Sequence, residues 1–203
     1  PVVDEIIVVD SFSTDKTKRI CEKFQVKFIE QRFLGYIEQK TFALNQASND
    51  YIVSLDGDEE LSETLQKSII QLKYNWTFNG YYCNRLNNFC GQWIKHSDWY
   101  PNKKLRVFDR RVASWNGINP HDNIVIHTTN QKTGFLKGDI LHWTYQTYSD
   151  FNLKTEHFST ISAKSYYALG KKATIWKILF NPPWAFFKAY FLRLGFLDGI
   201  NGF

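Results

Sequence analysis

Between residues 5 and 72 the hydrophobic pattern switches repeatedly between strand-like runs and helical stripes, and that alternation leaves few folds open. Residues 5–10, EIIVVD, form a near-continuous apolar run closed by an acid, as in a strand covered on both faces. Residues 11–15 are rich in capping side chains, and the spacing predicts a helix to about residue 24 with Ile20 and Phe24 on one face. Residues 26–30 read as the next strand. Residues 36–47 give a helix whose inward stripe is Ile37, Leu44 and Ala47, with Lys40 on the same stripe. Residues 51–55 read as a buried strand, and Leu65, Ile69 and Leu72 align on a helix that starts near Ser62. This order predicts an α/β fold with a parallel, doubly wound sheet. Ligands of such sheets gather beyond the carboxyl ends of the strands, where Asp10 and Asp56 both fall.

The third strand runs straight into Asp56-Gly57-Asp58-Glu59-Glu60, four carboxylates in five positions. They repel one another unless a cation or solvent screens them. At a strand end, Asp56 and Asp58 point the same way because side chains alternate with period two. Hard oxygen ligands at this spacing suit Mg²⁺ or Mn²⁺, usually shared with a substrate phosphate. An acidic turn before a helix N-terminus is the plainer alternative.

With 203 residues, 43% of them hydrophobic, the chain fits one α/β domain and a helical appendage. A net charge of +5 favours an anionic partner such as a nucleotide, phospholipid or phosphorylated glycan. No compact Lys/Arg block or nucleic-acid motif is present, which argues against DNA or RNA. Cys21, Cys83 and Cys90 lack a CxxC spacing and read as free thiols of a reducing, cytoplasmic compartment. No run reaches the roughly 18 apolar residues of a spanning helix.

From residue 80 to about 140 short β-like runs appear at 81–85, 104–109, 124–127 and 134–141, as in an elaboration that builds an acceptor pocket. After residue 148 the pattern turns helical, and Asn181-Pro182-Pro183 is expected to break it. Between His157 and Leu197 there is no Asp or Glu, while Lys164, Lys171, Lys172, Lys177, Lys188 and Arg193 alternate with many aromatic rings. Such basic, aromatic helices lie in an anionic membrane interface, or else pack as a basic pair on the domain.

VVDSFSTDKT (8–17), LGYIEQKTFALNQASNDY (34–51) and SLDGDEELS (54–62) resemble, in this order, the GT-A glycosyltransferases of family 2. Gly91-Gln92-Trp93, Trp99-Tyr100-Pro101, Leu105-Arg106-Val107-Phe108, Pro120-His121-Asp122, Leu141-His142 and the 194–199 stretch LGFLDG are similar to its lipopolysaccharide core β-glucosyltransferase branch. The resemblance covers nearly the whole chain. It implies a GT-A domain over 1–148 and a helical, membrane-associating extension over 149–203. It also implies a chain that begins after the first strand and its nucleotide-holding turn. The branch shows His-Glu where this chain has His121-Asp122, a change that keeps the carboxylate and shortens its reach. A strand followed by DGD is also similar to haloacid-dehalogenase phosphatases, but those follow it with Thr or Val where Glu60 stands here.

What the resemblance implies is an inverting sugar transfer. A nucleotide-diphosphate donor, UDP-hexose for this branch, gives its sugar to a glycan or lipid-linked hydroxyl, as in lipopolysaccharide or cell-surface polysaccharide synthesis. The enzyme would work in the cytoplasm, peripheral at the inner face of the cell membrane. Asp58, with Asp56, would hold Mg²⁺ or Mn²⁺, and His142 would be a further ligand to metal or phosphate. Asp122 would be the general base, oriented by His121. Asp10, Lys40, Asp56 and Arg106 would contact the nucleotide or its phosphates, and Trp99 would stack on a sugar ring. Each has a plainer alternative: a cap for Asp10, a snorkelling stem for Lys40, a surface ion pair for Arg106, a loop acid for Asp122, a core residue for His142 and Trp99. A non-catalytic nucleotide- or glycan-binding domain is the alternative to the enzyme as a whole.

Overall fold

The computed structural model describes residues 1–24, 26–119 and 121–203, so Pro120 of the Pro-His-Asp motif lies outside the described residues. The N-terminal elements are β1 (Ile7–Asp10), α1 (Thr17–Lys23), β2 (Lys27–Glu30), α2 (Tyr36–Asn45) and β3 (Tyr51–Val53). There follow β4 (Glu59–Leu61), α3 (Glu63–Tyr74), β5 (Gly80–Phe89), β6 (Gln92–Ile94) and a 3₁₀ turn at Ser97–Trp99. Next come β7 (Asn102–Asp109), β8 (Ala113–Ile118), β9 (His121–Ile126) and β10 (Thr133–Tyr145). The chain ends in α4 (Tyr148–Ala168), α5 (Ile175–Phe187), a π-helical turn (Lys188–Leu192) and a 3₁₀ segment (Gly195–Gly202). Strands β1 and β2 pair with each other, β8 pairs with β9, and the rest follow the order β3-β7-β5-β10-β4, with β6 on β5.

The α/β class is as the alternating pattern requires. Its parallel component, among the registers described, is the β1–β2 pair, with Ile7 opposite Lys27 and Asp10 opposite Glu30. Strand β3 does not extend that pair. It lies antiparallel to β7, with Ile52 opposite Phe108. The later strands are longer, and their hydrogen-bonding edge takes up a three-residue strand that hydrophobic pattern alone assigns to the N-terminal sheet.

The chain divides into two compact units, of which the first holds residues 1–54, 67–82 and 105–135. Its core gathers Leu44, Leu105, Phe108, Ala113, Trp115, Ile124 and Ile126, with Ile37 and Ile52 packed against them. Phe108 is fully buried, and burial of a side chain of that size contributes roughly 1.5–3 kcal/mol. Helix α2 has Gly35 as its N-cap, without a side chain to offer, and a distant residue substitutes. The backbone N–H groups of Tyr36 and Ile37 donate to Asn119 Oδ1 at 3.0 and 3.2 Å. In α1 the buried residue is Cys21, while Ile20 and Phe24 are exposed. An i, i+4 pair on a two-turn helix names a face but not the side on which the sheet lies.

The second unit holds residues 55–66, 83–104 and 136–203. Strand β4 pairs antiparallel with β10, Glu59 opposite His142 and Leu61 opposite Ile140. Ser62 Oγ accepts from Leu65 N and from Asp139 N, which fastens the start of α3 to β10. Gly138 has φ +100°, and a Cβ there would collide with the Leu65 backbone, so the close approach of α3 requires glycine. Helix α4 starts on Thr147, whose hydroxyl accepts from Asp150 N at 3.1 Å. The break expected at Asn181-Pro182-Pro183 does not occur, because both prolines lie inside α5. Each deletes one N–H, freeing the carbonyls of Ile178 and Leu179. Both residues are exposed, so those carbonyls can be hydrated. Among the described residues no helix is long and apolar enough to cross a membrane, and all three cysteines are free.

Candidate active site

In the second unit the acidic motif forms a turn, not the end of a strand. Strand β3 stops at Val53, and its hydrogen bonding to the β7 strand ends with Ser54 N donating to Arg106 O. Period-two alternation therefore does not orient Asp56 and Asp58. The turn does so instead: Glu59 N donates to Asp56 O and Asp56 N donates to Glu59 Oε2, both at 3.0 Å. The Glu59 side chain is fully buried and pairs with Arg85 Nη1 at 3.5 Å. Strand β4 thus spends one acid of the run on structure and leaves Asp58 exposed.

Asp58 Oδ2 lies 3.4 Å from His142 Nε2. Burial pushes the Asp58 carboxyl up, but the hydrogen bond and charge of His142 outweigh burial and the repulsion of Asp56, so its pKa is lowered from 3.8. The other ring nitrogen, His142 Nδ1, is 2.7 Å from Asn87 Oδ1 and 2.9 Å from Thr144 Oγ1. Asn87 is buried, and its amide nitrogen donates to the Trp99 carbonyl at 3.3 Å, which turns Oδ1 toward the histidine. Since an amide oxygen only accepts, Nδ1 carries a proton, and Nε2 is the nitrogen that donates to Asp58 or, once unprotonated, offers a lone pair.

Among the described residues no three His, Cys, Asp or Glu side chains are grouped closely enough to hold a metal ion. The donor set still fits one. A carboxylate oxygen and an imidazole nitrogen 3.4 Å apart would need to close by about 0.4 Å to become neighbouring octahedral ligands of an ion bound at about 2.1 Å. The Asn87 bond to Nδ1 has the form of the outer-shell hydrogen bond that orients a ligating histidine.

The first unit holds the other predicted residues. Asp122 is not a loop acid, since it lies in β9 opposite Gly117 of β8. Gly117 has φ +124°, and a Cβ there would strike the His121 carbonyl, so glycine brings β8 this close to His121 and Asp122. Lys40 Nζ is 2.8 Å from Asp122 Oδ2, with side-chain exposures of only 17% and 13%. The same ammonium sits 4.8 Å from the Trp115 ring centroid. Lys40 therefore turns inward to a partner and does not snorkel. Burial, and then the charge of Asp122, raise the Tyr36 phenol above its ordinary value. Arg106 is 4% exposed with its guanidinium 5.6 Å from the Trp115 ring, which rules out a surface ion pair. His121 is exposed at the start of β9. Asp10 is buried, and its two oxygens accept from Ser13 N and Ser13 Oγ at 2.7 and 2.6 Å. That is a local cap on the loop ahead of α1.

Trp99 packs edge-on against Phe89 at 5.8 Å and near Tyr145 at 6.0 Å, inside an aromatic cluster of the second unit. The residues that sequence reasoning missed are Asn87, Thr144, Trp115 and Asn119. Each acts on a partner distant in sequence except Thr144, which follows His142 by two positions, and that short spacing was the one local signal available.

Comparison with known proteins supplies the class. Residues 2–155 match the model of Glycosyl transferase family 2. An uncharacterized glycosyltransferase of Rickettsia felis is 32% identical over 214 residues, covering 100% of this chain and 75% of that protein. One from Rickettsia bellii is 33% identical and covers 100% and 72%. The lipopolysaccharide core biosynthesis glycosyltransferase LpsC of Rhizobium meliloti is 28% identical over 97% of this chain and 73% of its own. The crystal structure of S. aureus TarS 1–349 matches with a TM-score of 0.45 and 14% identity, covering 77% of this chain and 55% of that one. The chain belongs to glycosyltransferase family 2, and its fold is of the α/β class. That membership sets aside the phosphatase alternative.

Proposed function

We propose that this transferase moves a hexose from a UDP-linked donor to a glycan or lipid-linked hydroxyl, with inversion, in the synthesis of lipopolysaccharide or another cell-surface polysaccharide. Its similarity to LpsC supports the product class. The observation that carries the chemical reading is the Asp58–His142 pair, with Nδ1 tied to Asn87 and Nε2 facing Asp58 Oδ2. Asp58, Asp56 and His142 would hold Mg²⁺ or Mn²⁺. When bound, that ion supplies charge relief for the departing diphosphate.

The remaining roles belong to the chain's own side chains. The acceptor oxygen attacks the anomeric carbon, the bond to the donor phosphate breaks, and the acceptor proton passes to Asp122. Lys40 fixes Asp122 Oδ2, so Oδ1 is the oxygen assigned to that proton. His121 lines the acceptor side. Arg106 offers a fixed planar fork to phosphate oxygens. Asp10 keeps lone pairs beyond those given to Ser13 and would meet the nucleoside. Trp99, half-buried, would stack on a sugar ring. In the same reading the enzyme is peripheral at the inner face of the cell membrane, beside its acceptor.

Transfer and donor hydrolysis across a panel of nucleotide sugars, with Mn²⁺ and with EDTA, test this. Turnover of one UDP-hexose that EDTA abolishes and Asp122→Asn removes, with UDP binding retained, is the expected result. Nucleotide binding without turnover by any donor would leave a binding domain.

A further inference from the structure

A peripheral protein needs a surface that enters the interface, and we infer that α5 and the π-helical turn after it are that surface, with an anionic bilayer as the occupant. The inference extends the location in the reading above, and its test needs no transferase activity.

Residues 171–187 are exposed without interruption, and α5 has no buried residue. Trp176 and Trp184 are 68% and 59% exposed, and Leu179, Phe180, Phe187 and Phe191 lie open beside them. Scattered apolar side chains on a surface are ordinary, whereas a contiguous set of this size marks an interface. At 100° per residue the apolar positions of α5 run almost around the helix, and only Lys177, Asn181 and Ala185 form a narrow opposite strip. A helix of that kind is unsuited to water. Its 13 residues span about 20 Å, short of the roughly 30 Å hydrocarbon core, so it lies in the interface and does not cross it.

Charge decides between occupants. The stretch from His157 to Leu197 carries no acid. Lys188 and Arg193 are partly neutralised by Asp98, at 3.3 and 2.8 Å. Lys164 in α4, Lys172 just before α5 and Lys177 on its polar strip are all exposed. Two copies set face to face would bring like charges together, while anionic headgroups complement them. Tryptophans at the flanks of such a helix favour the headgroup level.

The segment is also held firmly at one end. Asp198 is buried and accepts from Lys95 N and His96 N at 3.1 and 2.8 Å, with His96 Nδ1 at 3.0 Å. Ser97 N donates to the Arg193 carbonyl at 2.9 Å. A membrane-bound α5 would therefore carry the rest of the second unit with it.

The test is flotation of the full chain with phosphatidylcholine vesicles and with vesicles that also contain phosphatidylglycerol, at low and high salt. Co-flotation with the anionic vesicles is expected, weakened by salt. Lys172→Glu with Lys177→Glu should lower the partition coefficient by about fivefold or more for each lysine lost. Trp176→Ser, Trp184→Ser and Phe187→Ser together should abolish binding and leave the circular dichroism unchanged, since all three positions are exposed. No flotation with either vesicle overturns the inference. So does equal, salt-independent flotation on neutral lipid. A dimer in sedimentation that the triple variant dissociates would also overturn it, because a second copy would then cover the face.

Discussion

The ammonium of Lys40 lies 2.8 Å from Asp122 Oδ2 and 4.8 Å from the centre of the Trp115 ring, which joins helix α2 to strands β8 and β9 through one half-buried charge. If Asp122 takes the acceptor proton, Asp122→Asn keeps the shape and loses the base. Initial rates should then fall about 10²- to 10⁴-fold with little change in donor KM. Lys40→Met leaves the carboxylate without its cation, and urea denaturation should register a loss of about 2 kcal/mol, below the figure for fully buried pairs. The double variant should be less damaged than the two losses summed, because the groups touch. Additive losses would show that the pair is not an energetic unit.

Asn119 should matter to α2 more than its place in a loop suggests. It accepts from both Tyr36 N and Ile37 N, where Gly35 offers no side chain. Asn119→Ala is expected to cost about 1 kcal/mol, the usual worth of a cap. Faster hydrogen exchange should be confined at first to the amides of Tyr36 and Ile37. Unchanged exchange there would mean that solvent caps the helix equally well.

Much of this architecture is written in local periodicity. Leu65, Ile69 and Leu72 stand on one helical stripe in the sequence and are all buried in α3. Periodicity does not report which side of a short helix meets the sheet, and so α1 buries Cys21 in place of Ile20 and Phe24. Strand β6 has three residues and follows a turn where Cys90 and Gly91 both take positive φ, too brief for a period to register. The acidic motif is legible as a candidate site, but its geometry comes from the end of the β3–β7 pairing at Val53. Asn87 lies 55 positions from His142, and only the folded register of β5 and β10 brings them together.

Acid stability should depend on Asp109. Its carboxyl is lowered from 3.8 chiefly by hydrogen bonds from the Arg111 side chain, at 2.7 to 3.2 Å, with burial opposing. A group depressed in the folded state contributes stability that is complete above its unfolded pKa and is lost as pH falls through the folded value. Asp109→Asn should therefore lower the melting temperature at neutral pH and flatten the fall in stability below pH 3.8. Asp58, also lowered from 3.8, should contribute in the same direction but less, because its side chain is 45% exposed. Parallel melting curves for wild type and Asp109→Asn across that range would remove Asp109 from the account.

The histidine tautomer offers a test of the proposed ligand that does not depend on turnover. Asn87 Oδ1 takes the Nδ1 proton of His142, and the Trp99 carbonyl keeps the amide from reversing. Asn87→Leu removes the acceptor and leaves only Thr144 Oγ1 at 2.9 Å. The ¹⁵N shifts of the His142 ring should then move toward the ordinary mixture dominated by Nε2–H. A protonated Nε2 cannot ligate, so Mn²⁺ affinity should fall about 10- to 100-fold, the usual effect of losing such a supporting hydrogen bond. Asn87→Asp keeps an acceptor and should preserve the tautomer. Shifts that move while Mn²⁺ affinity stays constant would confirm the positioning by Asn87 and remove His142 from the metal site. Shifts that do not move would assign the tautomer to Thr144.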